Sequence, residues 1–290
     1  MNRRQEFGFT LVELLVVCAI LSVLAAILFP VVRTATAAAR NRQCLNNFAQ
    51  VGAALALYQG DYDDTVPPVN YRKANVNNSE EDRSWVQTLL PYAGDFALFQ
   101  CPSDTGRLGI TERSKVSIGG WKNYYSASLR SNLGYNFLYL SPLIEDQSGN
   151  WSAYPVSGSQ IANESLTIAF IDSVWDRSVT GQPYGGGSWV VVPPCRYIDT
   201  PSGPYDTFGI PGNSRSYFGF NPPGWQPSSS TSWLVYGGAW PWHRNRFTIL
   251  YADGRAASVS LPLLVQGCEF APQWRGRIQS TADYLWDLQD

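Results

Sequence analysis

Histidine is almost missing from this chain: His243 is the only one in 290 residues. A metal cage built on several histidines is therefore not available from one copy, and no metal site of that kind is expected. Charge is scarce too. Charged residues make up 15% of the chain and the formal net charge is −2, which gives no electrostatic ground for a nucleic-acid partner. Gly-x-Ser-x-Gly, His-Glu-x-x-His and a phosphate-cradling glycine loop are all absent. A Ser/His/Asp site on His243 and Asp253 would lack an identifiable nucleophile, so the chain is not expected to be an enzyme or to hold an organic cofactor. No internal repeat is evident, and none of the eleven tryptophans precedes Trp85. The aromatic mass thus belongs to a second, globular part, whose Pro, Gly and Ser content predicts short strands and irregular loops.

What the first part does have is an apolar run. Leu14 to Val32 is nineteen residues without a charge, and as a helix it would span roughly 28 Å, close to the hydrocarbon thickness of a bilayer. One reading is a plain membrane anchor. A second is a secretory leader, with Arg3 and Arg4 as the positive start and Ala35-Thr36-Ala37 as a small-residue cleavage site. Neither needs the acid at Glu13, because a carboxylate in the membrane costs about 2–3 kcal/mol or more and normally marks a functional pairing. Cleavage between Gly8 and Phe9 gives a third reading. It creates an α-amine four residues before Glu13, and in staggered parallel helices that cation would neutralise a neighbour's carboxylate.

The stretch Gly8-Phe9-Thr10-Leu11-Val12-Glu13-Leu14-Leu15 resembles the processing signal of type IV pilins and type II secretion pseudopilins. The likeness covers about 25 residues: basic residues before the glycine, an aromatic after it, the glutamate, an unbroken apolar helix, and Pro30 where many relatives carry a kinking proline. The resemblance implies a prepilin peptidase that removes residues 1–8 and methylates Phe9. It also implies a single pass through the bacterial cytoplasmic membrane with the head outside, contact with membrane lipid, and assembly with other pilin or pseudopilin subunits on an inner-membrane platform. The implied fold is α+β: a long N-terminal helix packed on an antiparallel sheet.

The helical pattern continues past Pro30. A helix from Phe9 to Gln59 divides into a membrane or filament-core half, 9–32, and an amphipathic half, 33–59. The apolar stripe of the second half is expected at Leu45, Phe48, Ala49, Gly52, Leu55 and Ala56, and Gly60 is its natural stop. Residues 60–290 then form the head. It opens on Asp61, Asp63 and Asp64, read as a solvated turn, with calcium as the alternative ligand. A short helix from Trp85 is expected to stop before Pro91, and strands at 166–172, 189–192, 246–251 and 256–261. Asp253-Gly254 would form a hairpin turn between the last two. Residues 201–230 hold six Pro and five Gly, which reads as a surface insertion.

Cys44 near Asn46-Asn47, Asp-Tyr-Asp-Asp before Pro-Pro, Cys101-Pro-Ser-Asp, and His243 nine residues before Asp253-Gly254 have a further resemblance. They are similar to a large group of bacterial pseudopilin-like proteins known by an unknown-function domain and a His-x9-Asp-Gly motif. Arg255 stands where that motif more often continues with histidine, which weakens a metal or catalytic reading of the turn. His243 is expected to bond across the hairpin, with Asp253 holding the turn or accepting the imidazole proton. Composition alone leaves Cys44, Cys101, Cys195 and Cys268 either as free thiols or in two disulfides among three pairings. The resemblance selects Cys44–Cys101, leaving Cys195–Cys268. A rival function of another class is a secreted or anchored glycan-binding module, with Trp225, Trp233, Trp240 and Trp242 stacking on sugars.

Overall fold

The computed structural model describes residues 10–71, 83–104, 128, 131–145, 151–174, 176–177, 183–195, 197–206, 236–269 and 276–289. Helix α1, Leu11–Asp61, runs unbroken for 51 residues. Thr10 starts it: its hydroxyl accepts from the Glu13 N–H at 3.3 Å, and its own N–H donates to Glu13 Oε2 at 2.9 Å. Pro30 lies inside the helix without ending it. Two small polar side chains turn inward on the backbone, Ser22 Oγ in the apolar half donating to the Cys18 carbonyl at 2.7 Å and Thr36 Oγ1, just beyond it, to that of Val32 at 2.8 Å. Gly60 does not stop the helix. The chain reverses at Asp63 and Asp64, both in the left-handed region at φ 50° and 59°.

After α1 come the paired strands β1 (Asn70–Tyr71) and β2 (Arg83–Ser84), then α2 (Trp85–Ala93). Helix α2 runs through Pro91, against expectation, because the closing signal lies later: Gly94 at φ 80° donates its N–H to the Leu90 carbonyl at 2.8 Å. Next are β3 (Leu133–Tyr135) and the hairpin β4 (Leu143–Glu145) with β5 (Trp151–Ala153). Strand β6 (Ile168–Asp172) follows, then the pair β7 (Asp176–Arg177) and β8 (Pro183–Gly185), and the hairpin β9 (Tyr197–Thr200) with β10 (Gly203–Asp206). The last strands are β11 (Arg246–Tyr251), β12 (Ala256–Ser260), β13 (Cys268–Glu269) and β14 (Arg277–Ile278).

The central sheet has the order β12-β11-β6-β3, antiparallel throughout. A smaller sheet, β10-β9-β14-β13, contains one parallel pair. The expected strand at 189–192 forms only a bridge from Val190 to Tyr135, because just Trp189 and Val191 exchange backbone bonds with β3. The start of the expected insertion forms β10, paired with β9 just before it; residues 207–230 lie outside the described residues.

Period-two alternation gives the central sheet two faces. Phe170 and Leu250 point toward α1 and join Tyr135, Trp85 and Phe99 in one core. Trp85 lies 4.5 Å from Phe170 between ring centres, and Tyr135 stacks on Phe170 at 4.8 Å. Ile171, Phe247 and Ile249 point the other way into a second core closed by Trp286. The α1 face that packs on the sheet is Cys44, Phe48, Val51, Leu55 and Tyr58, a stripe rotated from the expected one. Ala49 and Ala56 are exposed; burying Val51 and Tyr58 instead removes more apolar area from water.

Two glycines of α1 make opposite demands. A Cβ on Gly52 would stand 2.5 Å from the Gly254 carbonyl oxygen, whereas one on Gly60 would meet nothing within 4 Å. Gly52→Ala is expected to lower stability by roughly 1–3 kcal/mol through overpacking, a loss that outweighs the gain of about 1 kcal/mol in helix propensity. Gly60→Ala has only the gain. Urea unfolding of the full chain in detergent, followed by tryptophan fluorescence, should move the midpoint down for the first and not down for the second.

Candidate functional site

Three regions bear on function. The first is the N-terminal half of α1. Its large apolar side chains between Leu11 and Val32 are 45–80% exposed, and the most apolar window of the helix has mean hydropathy 3.0 with none of it buried. By length and composition it is able to cross a membrane. Exposed apolar surface on this scale calls for lipid or neighbouring chains. Gly8 and Phe9 lie outside the described residues. Glu13, the acid at the start, also accepts the Thr10 hydroxyl at 2.7 Å on the same Oε2 that takes the Thr10 N–H.

The second region lies where α1 meets the central sheet. Cys44 comes from α1, Cys101 from the turn after Phe99, Asp172 from the end of β6 and His243 from the turn before β11. Their donor atoms all fall within 4.8 Å of one another, and all four residues are buried. Cys44 Sγ donates to Asp172 Oδ1 at 3.4 Å, and Cys101 Sγ faces His243 Nε2 at 3.5 Å. Two outer contacts orient them. The Thr248 N–H donates to Asp172 Oδ2 at 2.6 Å, and Ser103 Oγ lies 3.4 Å from His243 Nδ1. Burial pushes the Asp172 carboxyl up to about 8, with the Cys101 sulfur adding to the effect. For Cys101, burial is outweighed by hydrogen bonds with Cys44 and His243, which bring its thiol down to about 5. The bond to Cys101 and burial push the Cys44 thiol up. Burial disfavours the His243 cation, but the Cys101 bond and the Asp172 charge raise its pKa above the ordinary value. The contact between Cys101 and His243 resembles a nucleophile and its base. Cys101, however, is 0% exposed.

The third region is the β11–β12 hairpin, which carries the whole His-x9-Asp-Gly motif. Arg244 and Asn245, at φ 51° and 62°, reverse the chain so that Arg246 donates its N–H to the His243 carbonyl at 3.0 Å. At the far end Asp253 does not meet the histidine. Its Oδ1 accepts the Arg255 N–H at 2.9 Å and shapes the turn, while Gly254 takes φ 84° against Gly52 of α1. Arg255 lies over the Tyr251 ring at 3.9 Å and donates to the Ser165 carbonyl at 2.7 Å. The motif thus touches α1 through Gly254 and reaches the Cys44 cluster through His243.

The cysteine pairing needs one correction. Cys195 and Cys268 form a disulfide, but Cys44 and Cys101 are free thiols. They are brought together, as the resemblance implied, but each sulfur is turned to a polar partner, Asp172 or His243. Sequence reading missed Asp172 altogether. The residue ends an apolar strand and carries no local signal, and the set of four comes from segments up to 199 positions apart (243 − 44). Asp61 accepts the Tyr92 hydroxyl at 2.9 Å. Asp63 and Asp64 form the turn after α1, and the three are not among the convergent donor atoms. Trp242 is half-buried, with its indole N–H donated to the Ser173 carbonyl at 2.9 Å; Trp225 and Trp233 lie outside the described residues.

An N-terminal helix with a bare apolar half, carried by an α+β head, defines a pilin-like protein. Residues 3–29 match the prokaryotic N-terminal methylation motif, and residues 33–100 match a protein family of unknown function, DUF1559. Type II secretion system core protein G of Pseudomonas aeruginosa is 39% identical over 144 residues, an alignment covering 42% of this chain and 100% of that protein. The chain belongs to the pseudopilin family of type II secretion. No solved structure matches it.

The thiol assignments can be checked directly. On unfolding without reductant, an alkylating reagent is expected to label Cys18, Cys44 and Cys101 but not Cys195 or Cys268. In the native protein Cys44 and Cys101, 1% and 0% exposed, should be withheld. Peptide mapping by mass spectrometry reads both states.

Proposed function

We propose that this chain is a structural subunit, cleaved between Gly8 and Phe9 and N-methylated at Phe9 by a prepilin peptidase. It then assembles through the N-terminal half of α1 into a secretion pseudopilus or pilus-like filament. The observation that carries this reading is the division of α1. The head buries its own face, Cys44 to Tyr58, without using any residue from Leu11 to Val32. That upper half is thus free for lipid before assembly and for other subunits after it, with the head outside the cytoplasm and an inner-membrane platform as the assembly partner.

Glu13 fits the assembly step. In the single chain both Thr10 bonds land on Oε2, which leaves Oε1 for a second partner. A neighbour's Phe9 ammonium placed there would offset a carboxylate held in a medium that cannot solvate it. The acid then selects one axial register among many that apolar packing alone would accept.

Intact mass and N-terminal sequencing of the mature protein are expected to show a start at N-methyl-Phe9. Retention of residues 1–8 in mature protein would refute the processing step. Glu13→Ala is expected to leave thermal unfolding of the head unchanged while abolishing co-purification of tagged with untagged subunits from filaments. Normal incorporation of that variant would refute the electrostatic pin.

A further inference from the structure

We propose that Cys44, Cys101, Asp172 and His243 bind one divalent cation of the zinc class in a closed structural site. The donor set is two sulfurs, one imidazole nitrogen and one carboxylate oxygen, the ligand types that zinc takes in four-coordinate sites. The spacing agrees. With Zn–S of about 2.3 Å and Zn–N or Zn–O of about 2.0–2.2 Å, neighbouring donors of a tetrahedron stand roughly 3.5 Å apart. The two contacts measured between donors are 3.4 and 3.5 Å, and the whole set closes within 4.8 Å.

The outer contacts fit the same assignment. A metal-bound histidine usually has its second nitrogen held by another group, and a metal-bound carboxylate its second oxygen. Here Ser103 Oγ stands at His243 Nδ1, leaving Nε2 toward the sulfurs, and the Thr248 N–H fixes Asp172 Oδ2, leaving Oδ1. A disulfide between the two cysteines would give Asp172 and His243 no such role. It would also leave a fully buried carboxyl beside two neutral sulfurs. A cation meets the demand of all four groups at once. All four positions are filled by protein and the site is shut off from solvent, so the ion would staple rather than catalyse. It ties α1, the turn at Cys101, the end of β6 and the start of the β11 hairpin to one point, four segments brought together only by folding.

The test uses the full chain in detergent micelles, with Cys18→Ala as background so that Cys44 and Cys101 are the only free thiols. Protein purified without chelator is expected to carry one zinc per chain by plasma mass spectrometry. After stripping, Co2+ alone should produce a sulfur-to-cobalt charge-transfer band and the intense visible bands of a tetrahedral site, both displaced by Zn2+. Cys44→Ser or Cys101→Ser should remove the charge-transfer band. Ser103→Ala, which touches no ion, should weaken Co2+ binding about tenfold. Three results would overturn the proposal: a stripped chain that gives no cobalt bands, a Cys44–Cys101 disulfide in native material, or cysteine variants that bind Co2+ as the parent does. If the cysteine variants do not fold, the cobalt titration of the parent chain decides by itself.

Discussion

A backbone entering hydrocarbon has to satisfy every N–H and C=O within its own segment, and the architecture follows from that constraint. The first part of the chain, able by length and composition to cross a membrane, meets that demand as a helix, and within its apolar run Ser22 turns its hydroxyl onto the carbonyl four residues back. A helix started under that rule does not need to stop at the membrane surface. Here it continues to Asp61 without a break, so one rod carries both a bare apolar half and a packed half, and the head has to be built around it. The central sheet, the aromatic core of Trp85, Tyr135 and Phe170, and the Cys44 cluster are all ways of holding onto its second half.

Holding a rod takes more than an apolar stripe, because a smooth stripe lets a helix slide and roll. Two features oppose this. At Gly52 the missing side chain lets the Gly254 carbonyl come close, so a shift of the rod by one residue in either direction would put the Cβ of Val51 or Ala53 there. At Cys44, eight residues earlier, a buried polar group meets partners that only one rotation supplies. Polar contacts in a core are costly when unmatched and hence selective. Between these points, about 12 Å apart along the axis, Phe48 and Val51 contribute burial with little positional preference of their own.

The broad plan was legible in the sequence because it rests on local patterns. The apolar run, the glutamate near its start, the strands ending at Asp172 and Tyr251, and the Asp253-Gly254 turn all follow from neighbours a few positions apart. The failures share a cause as well. Helical spacing places the α1 stripe on Ala49 and Ala56, yet packing prefers large side chains, so Val51 and Tyr58 are buried instead. Pro91 has the local signature of a stop, but a proline late in a short helix removes only one bond there, and Gly94 sets the end. Trp189 to Val192 has the composition of a strand and finds only part of a partner. Asp172 was invisible because its role depends on where Cys44, Cys101 and His243 arrive in space. The acid at Glu13 was legible as an anomaly, whereas its bond to Thr10 needed the helix start to be seen.

The spacing of the His-x9-Asp-Gly motif has a geometric reading of its own. Strand β11 has six residues and spans roughly 20 Å at about 3.3 Å per residue, enough to cross the helix from the Cys44 level to the Gly52 level obliquely. His243 stands before that span, behind the tight turn at Arg244 and Asn245, and Gly254 stands after it. Nine intervening residues are therefore the turn, the strand and the bend into the next turn. Parity matters as much as length. Thr248 and Leu250 face α1 while Phe247 and Ile249 face the second core. One residue more or less between the histidine and the glycine would put one end of the strand out of phase with the other. The Thr248 N–H would then leave Asp172, or Gly254 would leave Gly52. On this reading the motif is a ruler that sets the sheet against the rod at two points.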